Sequence, residues 1–589
     1  MGAVSFVDAA GSGGRLLVVQ GDLTALAVDA VLVPCDGDGN VHAGFGSLLT
    51  AAGADLVQTT FGDGFVKVGT YAAQVDEAVS TVCLGIAGER QVWMLDTTVE
   101  TREDVEALVS AVVCALDRIA SGLDPGSTVA LPLVGVNAGG FGSSYFSVIT
   151  HLIPALESLA SHLEIDIVLV TRARADYAAV QHFRRDRLTP DDAAGAGDAA
   201  DEAEQVLTEL ADLARKGQLV PFIGAGASMG AGAPSWWALL QSLARDAGIS
   251  DDELPALQEL YASDAAMVIA RRSQPSPDGV GPAHEPSMAE RYEQIKERIR
   301  AEVDGDLYTV TQGLIAGLAL PEAVTTNYDR QYELANTATS GGAADGAGFD
   351  VVPQVRPRPG SPWVLKIHGD VATPESIVIS RDDYLRFDRD AGPAAGMLQS
   401  RMLTGHLLFV GYSMSDENIV RLARDVQRYR EAMAADDAQA PVGTVLELVP
   451  NLLRHQLWDG TLDFVTFGVA GPAGAGGVVQ RIGSGEAARR LRVFLDRLAM
   501  YACDDAPYLL DAKYRDLVTG QSRIVEHDPG GAGQEGGRQE SAPGELLAAL
   551  EALGAAASAV EHAGGQASSA ARVAAARVGE LLAEMGWVR

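Results

Sequence analysis

Short uninterrupted apolar runs recur along this chain, separated by stretches in which apolar residues return every three or four positions. In the first third the runs are 16–20, 30–34, 91–95, 128–134 and 165–170, with helical spacing over 105–119 and 145–161. Farther on they are 219–223, 323–325, 364–367, 407–410 and 444–449. A strand with one face in water alternates apolar and polar residues, and these runs do not. They read as strands covered on both faces by helices, which is the condition of parallel sheets in α/β proteins.

At 589 residues the chain has room for three or four units. Two composition breaks divide it. Residues 189–203 are acidic and rich in Ala and Gly, as in a linker, and 527–543 are richer still in Gly, Gln and Glu. The expected division is 1–188, the linker 189–203, a second α/β unit over 204–515, a disordered linker 527–543 and a tail over 544–589. In that tail Leu546, Leu550 and Leu553 share one helical face, and Val578, Leu581, Leu582 and Met585 share another. Gly564-Gly565 stands between them, so a short C-terminal helical hairpin is expected.

The net charge of −35 repels phosphate backbones and anionic lipid, so neither nucleic acid nor membrane is expected as the main partner. The uncharged apolar run 107–116 falls well short of the roughly 20 residues of a membrane span, and the N-terminus does not read as a signal peptide. A cytoplasmic protein is expected. Cys35, Cys83, Cys114 and Cys503 form neither a disulfide framework nor a paired metal site, and no metal is expected.

Four loops of the second unit each follow an expected strand, and in an open parallel sheet ligands bind beyond the carboxyl ends of strands. They are Gly224-Ala225-Gly226-Ala227-Ser228, Thr325-Thr326-Asn327-Tyr328-Asp329, Lys366-Ile367-His368-Gly369-Asp370 and Val410-Gly411-Tyr412-Ser413-Met414-Ser415-Asp416. The first precedes a well-marked helix, with Ser235 as its cap and Gly248 after its end. Glycines after a strand let backbone N–H groups approach a pyrophosphate. Taken singly, each loop could equally be a turn with no ligand.

In this order and spacing the four motifs resemble the sirtuin-like NAD-consuming domains of bacterial defence proteins, over about residues 204–510. The resemblance implies a Rossmann-like parallel-sheet domain with NAD+ as substrate. Gly224, Ala225, Gly226 and Ser228 would cradle the pyrophosphate and adjoining ribose. Asn327 and Asp329 would face the nicotinamide ribose and amide, with Thr326 beside them, and Gly411 and Ser413 would hold the adenosine side. His368 would be the catalytic histidine and Asn327 the second catalytic residue. Protein-deacylating sirtuins carry a Gln where Thr326 stands, and a zinc module with two Cys pairs after the histidine. Between His368 and Gly411 this chain has no cysteine.

In the first unit, Gly21-Asp22-Leu23-Thr24 and the stretch from Ala130 to Gly142 resemble a macro domain, a three-layer α/β fold. By that resemblance Asp22 would contact an adenine. Gly135, Asn137, Gly139, Gly140 and Phe141 would cup the diphosphate of an ADP-ribose-like signalling nucleotide. A binding unit joined to an NAD-destroying one is similar to the effectors of Thoeris-type anti-phage systems. It implies ligand gating, a signal-producing partner protein and a homo-oligomer. Three functions follow: a regulated NAD+ glycohydrolase first, then a protein deacylase or ADP-ribosyltransferase, then a non-catalytic NAD or ADP-ribose receptor.

Overall fold

The computed structural model describes residues 4–6, 13–58, 64–71, 81–98, 105–135, 145–187, 198–273, 287–339, 349–433, 440–468, 484–509, 511 and 514. The expected C-terminal helical hairpin and the linker 527–543 lie outside these residues. The protein is α/β and built on two largely parallel sheets.

The first sheet runs, in spatial order, Leu16–Gln20, Asp166–Thr171, Thr128–Pro132, Ala30–Cys35, Arg90–Asp96 and Thr81–Ala87. Its neighbours are parallel except the last pair. Leu16–Gln20 and Asp166–Thr171 are buried at every position, as expected of strands covered on both faces. Helices Val105–Ala120, Tyr145–Leu163 and Arg174–Arg187 flank the sheet. Thr81–Ala87, which carries half-exposed residues and a register shift at Cys83/Gly85, was not legible as a strand.

The second sheet has eight strands, in the order Val4–Ser5, Leu462–Thr466, Gly443–Glu447, His406–Val410, Leu219–Ile223, Glu322–Thr325, Trp363–Lys366 and Asp350–Val352. All are parallel. After Leu219–Ile223 the chain builds outward through Glu322–Thr325 and then returns to the other side at His406–Val410. The crevice beyond the carboxyl ends of Leu219–Ile223 and His406–Val410 is therefore a topological switch point.

Two features depart from the division expected from sequence. Val4–Ser5 belongs to the second sheet, where Val4 pairs with Val465, rather than to the unit over 1–188. Helix Asp198–Arg215 begins inside the expected linker 189–203. Alanine is the strongest helix former and acidic residues favour a helix N-terminus, so the Asp-Ala-Ala-Asp-Glu-Ala run serves as a first turn.

Helix Ser484–Ala502 ties the two sheets together. Its buried Asp496 lies 2.6 Å from Arg184 Nη2 and also accepts the Val18 backbone N–H at 2.8 Å. Arg489 and Arg492 of the same helix pair with Asp166 at 2.8 and 2.9 Å. One apolar cluster runs through both sheets, joining Val19, Leu26 and Val31 to Leu314, Leu408 and Phe494.

Candidate functional site

A cleft of about 1450 Å³ opens at the switch point of the second sheet. Of the ten residues assigned to the NAD site, all but Gly224 line it. The far end of the cleft reaches the N-terminal edge of the first sheet at Asp29, Arg90 and Thr128.

Gly224 explains how the cleft floor is made. A Cβ there would lie 2.5 Å from the Gly411 carbonyl oxygen and 2.6 Å from Tyr412 Cα. Gly411, at φ +66°, meets Ala227 N in return, with a Cβ at 2.3 Å. The Gly224 N–H donates to Val410 O and the Gly226 N–H to Gly411 O, both at 2.9 Å. The glycines thus let two loops pack backbone against backbone. The N–H groups of Gly224 and Gly226 are engaged between the loops, not aimed into the cleft as expected for a phosphate cradle.

Ser228, almost wholly buried, is the centre of a polar network. Its hydroxyl oxygen accepts from Asn327 Nδ2 and from Gln312 Nε2, each at 3.1 Å. The Asp329 carboxylate lies beside Ser228 and Asn327, and both favour its charged form. A hydroxyl oxygen has two lone pairs, so Ser228 has no acceptor capacity left. The network turns the Asn327 NH₂ toward Ser228 and leaves Oδ1, which is buried and without a hydrogen-bond partner among the described residues. The Asn327 loop itself is held by Thr325 Oγ1, which accepts the Asn327 N–H at 3.0 Å, and by Tyr328, whose hydroxyl donates to Val378 O at 2.6 Å. Burial pushes the Asp329 carboxyl above the ordinary carboxylate value, against the opposing pull of Lys366 and the network.

His368 is 4% exposed and packs edge-on against Tyr384 and Phe387. Its Nε2 lies 3.2 Å from Asp416 Oδ2 without making a hydrogen bond, and has no hydrogen-bond partner among the described residues. Burial holds the imidazole below its usual pKa, with Asp416 opposing, so the ring is neutral near pH 7. Asp416 also caps helix Glu417–Ala432, its Oδ1 accepting the N–H groups of Asn418 and Ile419. Ser413, by contrast, is exposed and pairs with Ser415 at 2.6 Å.

Lys366 straps the Asn327 and His368 loops together. Its ammonium is fully buried, 2.6 Å from Asp329 O, 2.7 Å from Glu333 Oε1 and 3.2 Å from Asp370 Oδ2. Burial alone would lower its pKa, and the carboxylates outweigh it and raise the value. Asp416 and Lys366 stand inside quoted motifs without an assigned role, and a capping Asp before a helix was the available signal for the first. Gln312 had none.

In the first unit, Asp22 caps the turn Leu23–Ala25, with Oδ1 accepting from the Thr24 N–H and hydroxyl and Oδ2 3.3 Å from Arg172. Gly135 follows strand Thr128–Pro132 at φ +81°, on the same sheet edge as Asp22. Asn137, Gly139, Gly140 and Phe141 lie outside the described residues. Among the described residues no group of three His, Cys, Asp or Glu could hold a metal ion, and no helix is long and apolar enough to cross a membrane.

Residues 321–443, which carry the Asn327 and His368 loops and Gly411, match the SIR2-like domain family. The chain is 26% identical over 226 residues to NAD(+) hydrolase ThsA of Enterococcus faecium, covering 38% of this chain and 42% of that protein. It is 23% identical over 240 residues to Defense-associated sirtuin 2 of Bacillus subtilis, covering 38% of this chain and 21% of that protein. The chain thus spans less than half the length of these relatives. Among solved structures, a mutant macrodomain from Oceanobacillus iheyensis matches with a TM-score of 0.24 and 10% identity, over 30% of this chain and 95% of that one.

Proposed function

We propose that this chain is an NAD+ glycohydrolase acting in anti-phage defence, with the cleft of the second sheet as its NAD+ site. The observation that carries the proposal is a pair of buried polar atoms, Asn327 Oδ1 and His368 Nε2, that lack hydrogen-bond partners among the described residues and lie on residues lining that cleft. Buried polar atoms are ordinarily satisfied, and a bound ribose or water would satisfy these.

The chemistry suits the groups. Breaking the nicotinamide–ribose bond builds oxocarbenium-like charge on the sugar. Nicotinamide leaves as a neutral base from a cationic pyridinium, so no general acid is needed. Asn327 Oδ1 is an acceptor that does not titrate and can orient a water or a ribose hydroxyl. His368, kept neutral by burial, can take a proton from either. The NAD(+) hydrolase relatives point to the same reaction. The missing cysteine pairs remove the zinc module a sirtuin-type deacylase would use.

The unit around the first sheet is then the reader of an ADP-ribose-like nucleotide, bound at the edge bearing Asp22 and Gly135. Unchecked NAD+ hydrolysis would kill the host, so the active form must be a minor state until the nucleotide shifts the population. Purified full-length protein, assayed for nicotinamide release with and without ADP-ribose-type nucleotides, tests both parts. Activity is expected with nucleotide, and Asn327→Ala or His368→Ala should abolish it while leaving the fold intact. Wild-type turnover in both folded variants would sink the catalytic assignment, and NAD+ binding without cleavage under every condition would favour a receptor.

A further inference from the structure

We propose that residues 308–312 form a positioning strap by which the first unit sets the orientation of the Asn327 amide, with Gln312 as its positioning residue. The proposal rests on the reading of the cleft as an NAD+ site.

One end of the strap is clasped by the first unit. Tyr308 is fully buried, and its hydroxyl accepts the Asp22 N–H at 2.9 Å and donates to the Asp22 carbonyl at 3.2 Å. Gly21 makes room for it, since a Cβ there would lie 2.3 Å from the Tyr308 oxygen. Tyr308–Thr309 also pairs in parallel with Leu26–Ala27. The other end reaches the site. Thr309 donates to Ala227 O at 2.7 Å and accepts the Gln312 N–H at 3.0 Å, capping helix Val310–Gly317. Gln312, with no exposed surface, donates to Ser228 Oγ. Gly313 seats the helix on the first sheet, where a Cβ would lie 2.8 Å from Val19 Cγ1.

Five consecutive residues therefore join the backbone of the Asp22 turn to the hydroxyl that orients Asn327. With Ser228 Oγ accepting from both Gln312 and Asn327, the hydroxyl is fixed and the Asn327 NH₂ is locked inward. Withdrawing Gln312 frees the hydroxyl to rotate, and Asn327 loses the constraint that keeps Oδ1 facing a ligand.

Gln312→Glu tests this in the full chain. Ionised, the new carboxyl cannot donate to Ser228, and protonated, it can. The titratable groups around it are Asp329, which shares Ser228, with Lys366 and Glu333 behind, Tyr308 on its own segment and His368 on the neighbouring loop. NAD+ affinity by calorimetry and nicotinamide release are measured from about pH 5.5 to 8.5 as ratios to wild type. At about pH 8, NAD+ binding should weaken on the order of tenfold, and the ratio should recover as pH falls. Gln312→Met, which never donates, should show the loss without recovery. Tyr308→Phe keeps the ring and removes the clasp on Asp22, and should weaken binding about threefold. Combined with Gln312→Met it should add nothing, because Tyr308 acts through Gln312. Additive losses, or a Gln312→Glu ratio flat with pH, would overturn the strap, as would wild-type affinity in folded variants. Binding without cleavage in wild type overturns the hydrolase and leaves the affinity series to judge the strap. A wild-type chain that does not bind NAD+ overturns both.

Discussion

Replacing Gly224 with Ala adds one methyl group at the point where the two loops of the cleft floor meet. The new Cβ would sit 2.5 Å from Gly411 O, 2.6 Å from Tyr412 Cα and 2.8 Å from Gly411 C. All three are backbone atoms, so no side-chain rotation relieves the contact. Ordinary van der Waals contact begins at 3.4 Å, so the loops must part by about 0.9 Å. The parting strains the Gly224 N–H to Val410 O bond and the Gly226 N–H to Gly411 O bond. Overpacking of this kind costs roughly 1–3 kcal/mol. The catalytic effect should be larger than the thermal one. The two loops lead to Ser228 and to Asp416, which address Asn327 and His368 respectively. A displacement of about 1 Å in catalytic groups can lower a rate about 100-fold. The assay pairs nicotinamide release with a thermal melt of the same preparation. Turnover within threefold of wild type, with an unchanged melt, would refute the claim that Gly224 exists for loop contact.

Lys366→Met should leave Glu333 and Asp370 facing each other without their shared cation, destabilising the fold by about 3–5 kcal/mol in urea titration; adding Glu333→Gln should restore part of the loss. His406, whose Nε2 lies 2.8 Å from Thr444 Oγ1, is pushed down to about 4 by burial. The folded protein therefore holds this imidazole neutral while the unfolded chain protonates it below about 6.5. Stability present above that pH should fall by roughly 3 kcal/mol as pH drops from 6.5 toward 4, and His406→Gln should flatten that part of the stability profile. His368 has the same sign, its neutral form being favoured in the fold, so the proposed base should work at pH values below the ordinary imidazole range.

The parallel architecture was legible because strands buried on both faces leave continuous apolar runs, and 16–20 and 219–223 coincide with strands of the structure. The four loops were legible because a parallel sheet brings the carboxyl ends of its strands to one edge. Short or half-exposed strands left no comparable signal, and Thr81–Ala87, Asp350–Val352 and Val4–Ser5 were found only by their partners. Sequence also carries the residue types of the site, an amide, an imidazole and glycines after strands. Tertiary structure alone decided what those residues do for one another. Gly224 meets Gly411 at a sequence separation of 187, and Gln312 meets Ser228 at one of 84. The first depends on the pairing of strands Leu219–Ile223 and His406–Val410 and the second on the seating of helix Val310–Gly317, and no local pattern encodes a partner that far away. The orientation of the Asn327 amide has the same origin: it donates to Ser228, which Gln312 fixes in turn, and only the convergence of these three segments determines which end of the amide is left free.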